Sequence, residues 1–172
     1  MIISLTGFMG CGKSSVGRRL SQLLCCPFMD LDDVIVESAG RSIPEIFATE
    51  GETAFRQMEL EALTGILSTS ESTRPCALIL ALGGGTVMTP ECAEIVKEQT
   101  CCVYLKASIE TLMKHLSGED DGRPMLHGHS MIERITELMA QRSETYEKTA
   151  HIIIDTDGMT IEGIASKIVT LI

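Results

Sequence analysis

The amino-acid sequence predicts an α/β protein, a three-layer sandwich with helices on both faces of a five-stranded parallel sheet. Three observations lead there. Short apolar runs alternate with stretches of helical periodicity five times along the 172 residues, the pattern of strands joined by crossover helices. The run at 77–82 contains no polar residue, as a strand buried on both faces requires. The first run, Ile2-Ile3-Ser4-Leu5-Thr6, leads straight into Gly7-Phe8-Met9-Gly10-Cys11-Gly12-Lys13-Ser14, a glycine-rich turn that opens a helix.

After that turn Val16, Leu20, Leu23 and Leu24 recur at helical spacing. Pro27-Phe28-Met29 leads into a second short strand ending at Asp30. Val34, Ile35 and Ala39 mark a helix that Gly40 stops. Ser42-Ile43-Pro44-Glu45 reads as a helix start with Pro in its first turn. The helical stretch runs to about Leu67, divided in two by Gly51. Residues 68–75 are polar and turn-rich, hence a loop before the third strand. Thr89-Pro90-Glu91 is an N-cap followed by Pro at the first helical position. Residues 101–105 form the fourth strand. Ser108 caps a helix with Ile109, Leu112, Met113 and Leu116 on one face.

Periodicity is lost over residues 117–130. The length and polarity of that stretch predict a mobile functional loop, a lid. Ile135, Leu138, Met139 and Tyr146 share one face of a long helix. Residues 151–154 form the last strand, and Thr160 begins a final helix through Ile161, Ile164, Ala165 and Ile168. No repeat or linker divides the chain, so residues 1–172 are expected to form one domain.

Composition bounds the rest. Apolar residues make up 44% and aromatics only 3%, so aliphatics and the ten Met are expected to fill the core. No apolar run approaches the length of a membrane span, and the first residues read as a strand rather than a signal peptide. The net charge of −10 argues against nucleic acid or an anionic membrane as partner. Seven Cys, an odd number with no C-x-x-C, suit a reducing cytoplasm better than disulfides or zinc.

The turn at 7–14 reads G-x-x-x-x-G-K-S, the phosphate-binding P-loop. Its glycines let the backbone turn N–H groups toward an anion, and the following helix adds the positive end of its dipole. Lys13 can reach the β- and γ-phosphates, and the Ser14 hydroxyl can ligate Mg²⁺. Three other strand ends deliver polar groups to the same edge. Asp30 and Asp32, alternating on an extended segment, would face one site. One would hold Mg²⁺ and the other would orient or deprotonate a hydroxyl; the plainer reading is that Asp32 or Asp33 caps the next helix. Gly83-Gly84-Gly85 lets a ligand approach the backbone closely, or is simply a sharp turn. Arg142 sits on or beside the inward face of its helix. It therefore needs an anion there, either a structural carboxylate or a bound substrate. Arg56 follows Phe55 in the second middle helix. Arg123 lies in the irregular loop as a candidate arginine finger. Asp155 is read as a strand end, and His127 and His129 as solvated loop histidines.

Together these pieces resemble shikimate kinase, a family with the nucleoside monophosphate kinase-like P-loop fold. The matching pieces are G-F-M-G-C-G-K-S at 7–14, D-L-D at 30–32, F-R at 55–56, G-G-G at 83–85, R-P-M-L at 123–126 and R-S-E-T-Y at 142–146. They cover essentially the whole chain. The resemblance implies a sheet order of 2-3-1-4-5 and ATP-dependent phosphorylation of the shikimate 3-hydroxyl, in chorismate and aromatic amino acid synthesis. It implies that Asp32 contacts the reacting hydroxyl, that Arg56 and Arg142 hold the shikimate carboxylate, and that Gly84 offers a backbone contact. ATP would lie on Gly10, Cys11, Gly12, Lys13, Ser14 and Ser15, with Mg²⁺ on Ser14 and Asp30 and with Arg123 as the lid arginine. A monomer is implied. Ser15 stands where Thr is common in the family, and Met125 where Leu is usual.

Another small-molecule kinase, such as a gluconate kinase, would share the P-loop and a carboxylate clamp; the D-x-D, G-G-G and R-x-x-x-Y set favours shikimate. A GTP-binding switch would need N-K-x-D, and the chain contains no Asn.

Overall fold

A computed structural model describes residues 1–69, 78–117 and 130–172. Five parallel strands form one sheet in the order β2-β3-β1-β4-β5. In chain order they are β1 (Ile2–Thr6), β2 (Phe28–Asp30), β3 (Leu78–Ala81), β4 (Cys101–Lys106) and β5 (Ile152–Asp155). Among the described residues six α-helices lie between them, α1 (Lys13–Leu24), α2 (Leu31–Ala39), α3 (Ile43–Thr69), α4 (Pro90–Gln99), α5 (Ile109–Ser117) and α6 (Ser130–Thr149), and α7 (Ile161–Leu171) follows β5. The expected sheet order holds, and β1 with its P-loop sits at the centre.

Strand alternation divides the apolar residues between two cores. Ile3, Leu5, Ile79, Val103 and Leu105 face one side, where α1, α5 and α7 supply Val16, Leu20, Leu112, Ile164 and Ile168. Ile2, Leu78, Leu80, Cys102 and Tyr104 face the other, against residues of α2, α3, α4 and α6. Each fully buried aliphatic contributes about 1.5–3 kcal/mol, so helices on both faces are required. A buried polar exception is satisfied locally, because the Ser4 and Thr100 hydroxyls share a hydrogen bond of 2.7 Å. The methionines correct the expectation: Met9, Met113, Met131, Met139 and Met159 pack at the rim of one cluster and Met58 and Met88 at the rim of the other, while Met1 and Met29 are exposed. Flexible, unbranched side chains suit irregular gaps between helices better than a close-packed sheet face.

Local signals set most boundaries. Ser42 and Glu45 form a reciprocal cap at the start of α3, with the Ser42 N–H and hydroxyl donating to Glu45 at 2.8 and 2.6 Å. Gly51, at φ 84° and ψ 177°, breaks α3 where a division was expected. The helix continues through Thr69, beyond the expected end near Leu67. Thr111 N–H donates to Ser108 Oγ at 3.2 Å, the expected cap of α5. A 3₁₀ turn at Thr86–Met88, not foreseen, links the glycine triplet to α4. Cys11, Cys92 and Cys102 are buried as small hydrophobes, while Cys25 is exposed. Ala77, Cys76 and the loop and lid expectations at 70–75 and 118–129, including Arg123, His127 and His129, lie outside the described residues.

Candidate active site

The P-loop follows from backbone freedom. Gly7, Gly10 and Gly12 have φ of 142°, 80° and 95°, the left-handed region that side chains disfavour. Gly12 is the N-cap of α1, so Lys13, Ser14 and Ser15 form its first turn, where unpaired N–H groups and the helix dipole favour an anion. Lys13 Nζ donates to the carbonyls of Gly7 at 2.8 Å and Phe8 at 3.0 Å. The ammonium is thus held over the loop that it would serve. Cys11 is buried, its sulfur 3.9 Å from Lys13 Nζ.

The two carboxylates after β2 converge, but not as alternate residues of a strand. Asp30 is the N-cap of α2, its Oδ1 accepting from Asp32 N–H at 3.1 Å. Asp32 therefore stands in the first helical turn, and neither Asp32 nor Asp33 is the cap. The other Asp30 oxygen accepts from the Ser14 hydroxyl at 2.6 Å, tying the P-loop helix to α2. Ser14 and Asp30 present hard oxygen ligands at the mouth of the loop. Among the described residues no group of three or more His, Cys, Asp or Glu could hold a metal by itself. A cation here would share its ligands with phosphate and water, as Mg²⁺ does. Asp32 is pushed up to about 6 by burial, by the neighbouring charges of Asp30 and Glu59, and slightly by Asp33, against the opposing pull of Lys13. A carboxyl so tuned can exchange a proton near neutral pH.

Close packing explains the glycine triplet. A β-carbon on Gly83 would lie 2.8 Å from Asp32 Oδ1, and one on Gly85 would lie 2.7 Å from an Arg56 nitrogen. Any side chain there would displace the groups that face the cleft. Arg56 pairs with Glu59, which is 1% exposed, and with Glu52 at 3.2 Å. The second Glu59 oxygen accepts from the Thr86 hydroxyl at 2.7 Å. Glu59 was missed in the sequence; its signal was a charge at (i, i+3) from Arg56, on the face that carries Phe55, Leu63 and Ile66.

Arg142 differs from Arg56. It is half-buried, lies over the Phe8 ring at 6.0 Å and donates to Gly84 O at 3.4 Å. No ion pair joins it to a carboxylate among the described residues.

Gly10, Cys11, Gly12, Lys13, Ser14, Ser15, Asp30, Asp32, Arg56, Gly84 and Arg142 all line one cleft of about 1290 Å³, more than a single small ligand needs. Of the expected site residues only Arg123 is not placed. The same cleft is also lined by His115, Thr156, Gly158 and Met159. Sequence reading did not find them, although Thr156 and Gly158 follow β5 at the carboxyl edge of the sheet. Asp155 is a strand end, as expected, its side chain accepting from Asp157 N–H at 3.0 Å.

The model of the shikimate kinase family matches residues 9–172. The shikimate kinase of Thermus thermophilus is 41% identical over 167 residues, 97% of this chain and 87% of that protein. The Francisella tularensis enzyme is 35% identical over 170 residues, 99% of this chain and 93% of its own. Among solved structures, shikimate kinase from Acinetobacter baumannii in complex with shikimate superposes with a TM-score of 0.88 at 34% identity, over 99% of this chain and 91% of that one. The Bacteroides thetaiotaomicron enzyme superposes with a TM-score of 0.89 at 26% identity, over 99% and 97%.

Proposed function

The chain belongs to the shikimate kinase family, and from that premise we propose how its own residues phosphorylate the 3-hydroxyl of shikimate with ATP. The products are shikimate 3-phosphate and ADP, in the route to chorismate and the aromatic amino acids. The carrying observation is Arg142, half-buried in the same cleft as Lys13 and Asp32, where it donates to the Gly84 carbonyl and forms no ion pair with a carboxylate among the described residues. An arginine so placed suits the forked hydrogen bonds of a substrate carboxylate. Arg56, braced by Glu59 and Glu52, is the second arm of this clamp, and Gly84 adds a backbone contact. A rigid ring held by its carboxylate turns a hydroxyl toward Asp32, which is catalysis by positioning. Asp32 accepts the hydroxyl proton as the oxygen attacks the γ-phosphate.

Gly10, Cys11, Gly12, Lys13, Ser14 and Ser15 cradle the phosphates of ATP. Lys13 exchanges the carbonyls of Gly7 and Phe8 for β- and γ-oxygens as charge develops on them. Ser14 and Asp30 suit Mg²⁺, with Ser14 as ligand and Asp30 as its outer partner; the bound ion would neutralise phosphate charge. Arg123, in the lid proposed at about 117–130, is assigned to the transferring phosphate. Its replacement by alanine should lower kcat strongly and leave shikimate KM nearly unchanged. A rise in shikimate KM alone would refute that role. The chain is read as one domain and a monomer acting in the cytoplasm, without nucleic acid or membrane partners. The net charge of −10 weighs against nucleic acid or an anionic membrane as partner, and among the described residues no helix is long and apolar enough to cross a membrane.

The test is a substrate panel with Mg-ATP: shikimate, quinate, gluconate, AMP and CMP. Rapid ADP release is expected with shikimate alone. Arg142→Ala should raise shikimate KM by roughly 10²-fold, the loss of a charge-assisted pair of bonds. Faster turnover of gluconate or a nucleotide would overturn the substrate assignment.

A further inference from the structure

The glycine triplet that faces the acceptor is held from behind by one hydroxyl. Tyr146 lies on α6 and is fully buried. Its ring packs on Tyr104, with centroids 5.1 Å apart and planes tilted by 30°. The Tyr146 hydroxyl donates to the Gly84 carbonyl, and Arg142 Nη1 donates to the same oxygen at the long distance of 3.4 Å. Burial pushes the Tyr146 phenol well above its ordinary value, so it remains a donor at working pH. Gly84 is also where the triplet meets the P-loop. A β-carbon there would lie 3.2 Å from Met9 N and 3.7 Å from Gly7 O.

The two donors cannot behave alike during turnover. A guanidinium that forks onto a carboxylate weakens its other, already long, hydrogen bond. The Tyr146 ring is enclosed by the core and cannot follow a ligand. We propose that Tyr146 is a positioning residue for the acceptor: its hydroxyl anchors the Gly84 carbonyl and keeps the triplet in place against substrate and P-loop after Arg142 has turned to the carboxylate. This inference rests on the shikimate phosphorylation described above.

The neighbouring ring supplies a matched control. The Tyr104 hydroxyl is equally buried but has no hydrogen-bond partner among the described residues. Tyr146→Phe and Tyr104→Phe therefore remove one hydroxyl each from the same ring pair, and only the first touches Gly84. Kinetics with shikimate and ATP varied separately should give Tyr146→Phe a shikimate KM about three- to tenfold higher, the worth of one hydrogen bond. Its ATP KM should stay within about twofold of the wild type, and Tyr104→Phe should change neither. Equal rises in both KM values, or the same rise in Tyr104→Phe, would overturn the anchoring by making ring packing the cause. Loss of a cooperative melting transition in Tyr146→Phe would overturn it too, since the hydroxyl would then be a determinant of the fold. Wild-type enzyme that turns over shikimate beside a Tyr146→Phe enzyme with unchanged KM would overturn the anchoring alone. Wild-type enzyme inactive on shikimate would overturn both the anchoring and the function on which it rests.

Discussion

Lys13→Ala should abolish phosphoryl transfer and leave the fold standing. The lysine carries the only ammonium in the P-loop motif, and its Nζ lies against the Gly7 and Phe8 carbonyls. Preorganised charge of this kind acts where negative charge grows in the transition state. Removing a single neutral donor from such a site already costs about 10²–10³-fold, and a full charge should cost more. The fold depends on it far less. Two hydrogen bonds to backbone carbonyls are lost, together about 1–3 kcal/mol, in a loop that three glycines and the start of α1 already shape. Circular dichroism with thermal melting should show a folded protein. A coupled assay of ADP release should show at least a thousandfold loss in kcat. Turnover within tenfold of the wild type would rule out the proposed role for Lys13.

Asp32→Asn should lower kcat by about 10²–10⁴-fold, the usual range for a positioned general base, with a far smaller effect on nucleotide binding. The side chain keeps its size and loses its charge. In the wild type the base must be ionised, so the rate should fall as pH drops through about 6, the value to which burial and the carboxylates of Asp30 and Glu59 push Asp32. Stability should respond in the opposite sense. Folding raises the affinity of this carboxyl for its proton, so between about pH 4 and pH 6 the folded chain holds more proton than the unfolded chain. Over that window the Asp32 contribution to stability is lost as pH rises, by on the order of 2–3 kcal/mol. Asparagine has no charge to bury, so the variant should melt several degrees higher at neutral pH. A kcat loss below about threefold would remove Asp32 from the proton transfer. A lower melting temperature would mean that its carboxylate supports the fold.

The amino-acid sequence by itself determined the features whose causes are local. The G-x-x-x-x-G-K-S turn needs its glycines Gly7 and Gly12 because φ is positive at both, a local cause, to which the fold adds the Leu105 carbonyl 2.7 Å from where a β-carbon of residue 7 would lie. Most helix starts and stops follow from caps and turns within four residues, as at Ser42, Thr160 and Gly40. The alternation of strand and helix prescribes the two-sided core. Asp30, Asp32 and Gly84 stood out in the sequence as polar or glycine residues at strand ends, Arg142 as a charge on the inward face of a helix, and Arg56 through the family resemblance. Tertiary structure decided how those residues are held. Glu59 reaches Thr86 across 27 positions, and Tyr146 reaches Gly84 across 62. The Asp30 cap of α2 is local, and it places Asp32 on a helix and not on a strand; the contact of the other Asp30 oxygen with Ser14, 16 positions away, is tertiary. The physical reason is that periodicity encodes which face of an element is buried, whereas the partner on that face depends on strand order and helix packing. Those are set by the whole chain at once, and so are the buried hydrogen bonds that give each charge in the cleft its strength.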